Sequence, residues 1–202
     1  MSSAPGHLLV FARYPELGKV KTRLAADIGP AAALAVYQEL LIHTQAVAAP
    51  LPVAKTVWLV APGPTADLSE SWTDYELQLQ PPGDLGARMH AAFAHAFAQG
   101  AGRVLIIGTD CPGLTTAHLQ TALEALRTHD VVLGPAADGG YYLLGLTRLY
   151  PELFADKPWS TATVRAETLR DAAGLGLRVH LLPELHDVDT AADLARWRNP
   201  SA

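Results

Sequence analysis

One cysteine, Cys111, is too few for an internal disulfide or for a zinc site closed by cysteines. Positive charge is scarce too: 15 Lys and Arg against 20 Asp and Glu leave a formal net charge of −5. A general nucleic-acid binder shows the reverse, a broad basic excess. An anion bound here is therefore expected to be small and held locally. No window approaches the roughly 18 apolar residues of a membrane span. The opening MSSAPGHLLVFAR has no basic n-region, and its apolar run is short for a secretory signal. The expectation is a cytoplasmic protein with neither nucleic acid nor membrane among its partners. Familiar catalytic signatures are missing as well. The eight histidines form no H-x-x-x-H pair, and there is no G-x-S-x-G elbow. Neither a Walker A loop nor G-x-G-x-x-G follows the first strand-like run.

What the chain does have is alternation. Strand-like apolar runs occur at 7–12, 56–61, 75–80, 103–108, 130–136, 141–146 and 177–182. Helical patterns lie between most of them, at about 30–49, 85–99, 115–128, 161–173 and 190–197. Such alternation predicts an α/β fold with a mostly parallel sheet and helices on both faces. The ADGG turn at 137–140, between two closely spaced runs, predicts one antiparallel hairpin and so a mixed sheet. With half the residues apolar and 17% charged, the composition suits one domain, residues 1–202. That length buries roughly 70% of the unfolded surface. Pro62–Pro64 and Pro81–Gly83 read as loops inside it.

Open α/β sheets bind ligands outside the carboxyl ends of their strands, so the segments that follow the runs matter most. After the first comes FARYPELGKVKTRLA (11–25), with Arg13, Lys19, Lys21 and Arg23 inside eleven residues and only Glu16 as an acid among them. Gly18 would let the backbone approach a ligand. Lys19, Lys21 and Arg23 offer point charges and a planar fork suited to phosphate oxygens. A solvated surface loop is the plain alternative. After the fourth run stands Asp110, at the rim. A hard carboxylate there suits Mg2+, which takes one or two protein carboxylates plus phosphate oxygens and water. The alternative is a turn-forming Asp. Cys111 beside it reads as a small buried residue, because no general base accompanies it.

Three further segments stay open between structural and functional readings. Thr190–Asp193 has the form of a capping box, which leaves Asp189 near a helix N-terminus and Asp187 free to complete a metal site. Asp84 reads as an N-cap, or, with Gly86, as part of a wall for a base or phosphate with Arg88 nearby. Trp159-Ser160-Thr161 reads as a helix start that Ser160 or Thr161 caps, with Trp159 packing or lining a ligand.

Taken in order, FARYPELGKVKTRL, GDLGARM, GTDCPGL, LGPAADGGYYLLGL, PWST and HDVDTAADL resemble a bacterial family of glycosyltransferase-A-like transferases. That family is related to 2-phospho-lactate and molybdenum-cofactor guanylyltransferases, and the resemblance spans about residues 7–197. It implies the nucleotide-diphospho-sugar transferase (GT-A, Rossmann-like) fold. It also implies nucleotide binding by Arg13, Gly18, Lys19, Lys21, Arg23, Asp84 and Gly86. Metal is implied at Asp110 together with Asp187 or Asp189, and substrate contacts at Asp138, Gly139, Gly140, Trp159 and Ser160. Two departures stand out. Asp110-Cys111-Pro112 lacks the second acid of the D-x-D of many glycosyltransferases. The first loop has Thr22-Arg23 but lacks the first glycine of G-x-G-T-R.

The function expected from this reading is Mg2+- or Mn2+-dependent nucleotidyl transfer. A nucleoside triphosphate would be joined to a small phosphorylated acceptor, with Lys21, Arg23 and Asp110 as the catalytic groups. The alternatives are glycosyl transfer from a nucleotide-sugar and a non-catalytic nucleotide-binding module.

Overall fold

The structure is a computed structural model and describes residues 5–60 and 72–199. Among these the order is β1 (Gly6–Ala12), α1 (Thr22–Ile28), α2 (Pro30–Ala48), β2 (Ala54–Leu59), β3 (Glu76–Leu79) and α3 (Leu85–Ala98). There follow β4 (Arg103–Ile107), α4 (Thr116–Ala125), β5 (Val131–Pro135), β6 (Tyr141–Leu146), a 3-10 turn at Pro151–Leu153, α5 (Val164–Gly174), β7 (Val179–Leu181) and α6 (Ala191–Arg198). The Pro62–Pro64 loop lies outside the described residues.

The seven strands form one mixed sheet in the order β3-β2-β1-β4-β6-β5-β7. Every pairing is parallel except the two made by β6. The 137–140 turn is thus the expected antiparallel hairpin, with Leu133 opposite Leu144. The inner strands read as unbroken apolar runs because helices cover both of their faces. Leu8, Val10, Leu105, Ile107 and Val132 pack with Tyr37 and Leu41 of α2 and with Leu119 and Ala122 of α4. Leu9, Val104, Ile106, Val131 and Leu144 pack with Met89, Ala92 and Phe93 of α3 and with Ala172 of α5. The outermost strands, β3 and β7, have four and three residues, and such short edges offer little for another chain to pair with.

This topology fixes the site. The chain moves from β1 outward through β2 to β3, then restarts at β4 on the other flank of β1. β1 and β4 are paired in parallel, Val10 beside Ile107, so the segments after both strands leave the same edge at the point where the order reverses.

Two local expectations change. The stretch read as a loop contains α1, whose seven residues carry no side-chain cap. What holds α1 is Leu24, buried with Val36 and Leu40 of α2 and with Val188. Such a helix owes its existence to packing, not to propensity. The helix expected from 161 begins at Val164, and its N-cap is Thr163 without a side-chain bond. Ser160 cannot cap it because its backbone is left-handed at φ 64, and the Thr161 hydroxyl donates to the Pro158 carbonyl at 2.7 Å. The Thr190–Asp193 capping box forms as expected, and a second one, Thr115–His118, opens α4. His90 and His95 are packing residues. His90 lies edge-on to Phe154, and His95 lies edge-on to Trp58 and 3.2 Å from Glu76. Among the described residues, no helix is long and apolar enough to cross a membrane.

Candidate active site

A cavity of about 620 Å³ opens at the edge where β1, β3 and β4 end. That volume lies within the range of about 300–1,000 Å³ that small-molecule sites occupy. Arg13, Lys19, Lys21, Arg23, Asp84, Arg88, Asp110, Ser160 and Asp189 all line it.

The basic loop is fixed before it reaches the cavity. The buried Tyr37 hydroxyl accepts the Arg13 N–H at 2.8 Å and donates to the Arg13 carbonyl at 3.0 Å. Burial pushes this phenol up to about 12, so it stays protonated and holds both bonds. Gly18 takes φ 73 in the turn that follows, with open space around it. Val20 is buried and anchors the far end of the loop. Lys21 then adopts a left-handed backbone, φ 48 and ψ 46, and its carbonyl accepts the Ala25 N–H that starts α1. A non-glycine residue pays about 1–2 kcal/mol for that conformation.

Here the distant segments meet. Lys21 Nζ lies 2.7 Å from Asp110 Oδ1 and 3.1 Å from Asp189 Oδ1, with its side chain 4% exposed. Arg23 grips the other oxygen of Asp189 at 2.5 Å. The Val188 N–H donates to the Asp110 carbonyl at 2.9 Å, which locks the 187–190 segment to the segment after β4. Asp187 is half-buried nearby. Burial, and then the charges of Asp110, Asp138 and Asp189, push its carboxyl up to about 7 against the weaker pull of Lys21. Negative charge is therefore in excess at this point.

That excess has a measurable effect. The folded state holds the Asp187 proton more tightly than the unfolded chain, whose carboxyl titrates near 4. Below about pH 4 both states are protonated. As pH rises through 7 the unfolded chain has already released the proton, so folded stability falls over that window. In EDTA, Asp187→Asn is expected to be more stable than the wild type by on the order of 2 kcal/mol at pH 8, after solvent screening, and equal to it near pH 4. Urea melts at the two pH values check this.

The remaining site candidates divide. Asp84 caps α3, accepting the Ala87 N–H at 2.8 Å, and also lines the cavity. Gly18, Gly86, Asp138, Gly139, Gly140, Trp159 and Asp187 are not among its lining residues. Gly86 is needed for packing: a Cβ there would strike the Trp159 indole and come within 2.6 Å of the Phe154 carbonyl. Asp138 accepts the Gly140 N–H at 2.8 Å inside the hairpin turn. Cys111 is buried and its thiol is pushed up to about 12, first by burial and then by Asp187. It packs, as the sequence suggested. Sequence reasoning missed Gln80. Its amide donates to the Trp58 carbonyl at 2.9 Å, and its other end faces Arg88 Nη1 at 3.5 Å. Its place after β3, just ahead of Pro81-Pro82-Gly83, was the available signal.

The donor set suits a hard cation held by few protein ligands. Two carboxylate oxygens from separate segments already converge on one positive charge. Among the described residues no group of three His, Cys, Asp or Glu forms a complete cage. Mg2+ needs no such cage where phosphate oxygens and water fill its remaining positions.

The fold and sequence have relatives. A structure from Desulfovibrio desulfuricans, named as a candidate nucleotide-diphospho-sugar transferase, is 33% identical with TM-score 0.90, covering 99% of this chain and 90% of that one. A CMP:2-keto-3-deoxy-manno-octonic acid synthetase complexed with CTP shares the fold at TM-score 0.59 and 14% identity, covering 98% of each chain. A Mycobacterium tuberculosis protein in complex with manganese does so at TM-score 0.59 and 15% identity, covering 96% of this chain and 97% of that one. No curated protein matches the chain. The nucleotide-diphospho-sugar transferase fold is thus established, and residues 43–161 match the model of an uncharacterised family conserved in bacteria. With that match spanning more than half its length, the chain belongs to this bacterial family, DUF2064.

Proposed function

We propose that this protein is a metal-dependent nucleotidyltransferase that joins a nucleoside triphosphate to a small phosphorylated acceptor and releases pyrophosphate. The observation that carries the reading is the meeting of Lys21, Arg23, Asp110 and Asp189 in the lining of one cavity. Arg13, Lys19, Lys21 and Arg23 bind the triphosphate. Asp110 and Asp189 would hold Mg2+ or Mn2+, which would neutralise phosphate charge. An ionised phosphate oxygen of the acceptor forms the new bond to the α-phosphorus, while the bond to the bridging oxygen of pyrophosphate breaks. The attacking oxygen carries no proton to remove. The chain therefore needs charge and positioning more than a general base, in keeping with a buried, unactivated Cys111. Gln80, Asp84 and Arg88, which also line the cavity, face the base.

Two likenesses support this reading. One fold neighbour is a synthetase solved with CTP, and another was solved with manganese. The sequence resemblance to a bacterial transferase family related to 2-phospho-lactate and molybdenum-cofactor guanylyltransferases points the same way. Glycosyl transfer is the second reading, favoured by the name of the D. desulfuricans relative.

The test is incubation with each nucleoside triphosphate, Mg2+ and a panel of phosphorylated metabolites. Pyrophosphate release from at least one pair is expected. Nucleoside diphosphate release from a nucleotide-sugar, with no pyrophosphate from any triphosphate, would assign glycosyl transfer instead. Turnover of neither, with nucleotide binding retained, would reduce the protein to a binding module. A bound nucleotide at 100 times its Kd raises stability by about 2.7 kcal/mol, which a thermal shift detects.

A further inference from the structure

We infer that Lys21 is a built-in stand-in for the divalent cation: its ammonium occupies the cation's place between Asp110 and Asp189 and must leave before the ion can enter. The inference rests on the metal-dependent reading above and adds a role that the phosphate-binding assignment of Lys21 does not contain.

Three observations carry it. The first is position. Nζ bridges Oδ1 of Asp110 and Oδ1 of Asp189, one oxygen from each of the two carboxylates that suit a metal. A small divalent ion sits about 2.0–2.1 Å from such oxygens. An ion bound to both would overlap the present ammonium, so occupancy is exclusive. The second is burial. The Lys21 side chain is 4% exposed, whereas that of Arg23 is 70% exposed. Lys21 is enclosed in the site, and Arg23 stands at its rim. Arg23 holds Oδ2 of Asp189, the oxygen that Lys21 leaves free, and so can stay when the ion arrives. The third is backbone. Lys21 keeps a left-handed conformation that costs an ordinary residue about 1–2 kcal/mol. That cost is met while the side chain is turned onto the two carboxylates.

The consequence is competition. The metal alone must displace a buried ammonium. When a phosphate of the bound ligand draws Lys21 away, the two carboxylates are released to the ion. Metal and phosphate ligand then strengthen each other by the same factor.

The experiment is a Mn2+ titration without nucleotide, reading free Mn2+ by electron paramagnetic resonance. It compares wild type, Lys21→Met, Lys21→Arg and Arg23→Met. Lys21→Met is expected to bind Mn2+ at least tenfold more tightly than wild type. Lys21→Arg should stay at the wild-type level. Arg23→Met, which removes the same charge without vacating the bridge, should gain less than threefold. Should Lys21→Met fold poorly, its melting temperature is followed with and without Mn2+, and a rise larger than that of wild type gives the same answer. Equal gains in Lys21→Met and Arg23→Met reduce the effect to charge alone and overturn the inference, as does an unchanged affinity in Lys21→Met. If neither wild type nor Lys21→Met binds Mn2+, the metal reading itself fails. If both bind it equally, only the stand-in role fails.

Discussion

Asp110→Asn is expected to lower kcat/KM for pyrophosphate release by about a thousandfold, with the fold intact. Asparagine keeps the shape and removes the charge. The backbone bond from the Val188 N–H to the Asp110 carbonyl does not depend on that charge, so the 187–190 segment stays in place. The Asp110 side chain is 46% exposed, and Lys21 keeps Asp189 as a partner at 3.1 Å. The melting temperature should therefore move little. Under the proposed function activity should not survive so well, because one of the two carboxylates that would hold the cation is gone. Loss of a single preorganised electrostatic group typically costs 10²–10³ in turnover, and the metal's contribution adds to that. Pyrophosphate release and Mn2+ binding are measured on the same preparation. A variant within tenfold of wild-type activity would remove Asp110 from the site.

The convergence of Asp110 with Lys21 and Arg23 was legible in the sequence, and the reason is topological. Charged residues that directly follow apolar strands of a parallel sheet leave from the same edge. The short apolar runs at 7–12 and 103–108 read as strands of such a sheet. What could not be read is how the charges pair. Lys21 and Asp189 are 168 residues apart, and nothing local in either segment states that they touch. The left-handed Lys21 was equally hidden, since that conformation favours glycine and no glycine marks it. α1 was missed because its one deeply buried residue, Leu24, gives no helical period. Where Asp187 and Asp189 stand relative to the cavity was hidden as well. Asp189 reaches the cavity, while Asp187 is enclosed among other carboxylates. The resemblance implies ligand contacts at Gly86 and Gly139, and the structure brings other parts of the chain close to both. Sequence marks a glycine as special without saying whether a ligand or another segment fills the space.

That ambiguity can be tested at Gly139, where the largest loss of stability is expected. Its backbone is left-handed, φ 93, and a Cβ would fall onto the Ala162 carbonyl oxygen and 2.7 Å from the Ala162 Cα. The obstacle is backbone and cannot rotate aside. It is also tied in place, because the Arg165 N–H donates to the Gly139 carbonyl at 3.1 Å. Gly139→Ala must therefore push the 158–163 segment away from the hairpin turn, and Ser160 moves off the cavity with it. Strain at a positive φ, the clash and the broken tie together place the cost at about 4 kcal/mol, among the largest for a single substitution. Gly18→Ala is the control. Gly18 also has a positive φ, 73, but nothing lies within 4 Å of the added Cβ, so only the conformational penalty of about 1–2 kcal/mol applies. Urea denaturation separates the two. Gly139→Ala should lose at least twice the stability that Gly18→Ala loses, and equal losses would mean that the turn and the 158–163 segment are not packed together. Ligand binding discriminates further. Gly18→Ala alters the loop that carries Arg13, Lys19 and Lys21, so under the proposed function it should weaken nucleotide binding with the smaller loss of stability. Gly139→Ala should do the reverse, losing stability first and nucleotide affinity only in so far as Ser160 is displaced.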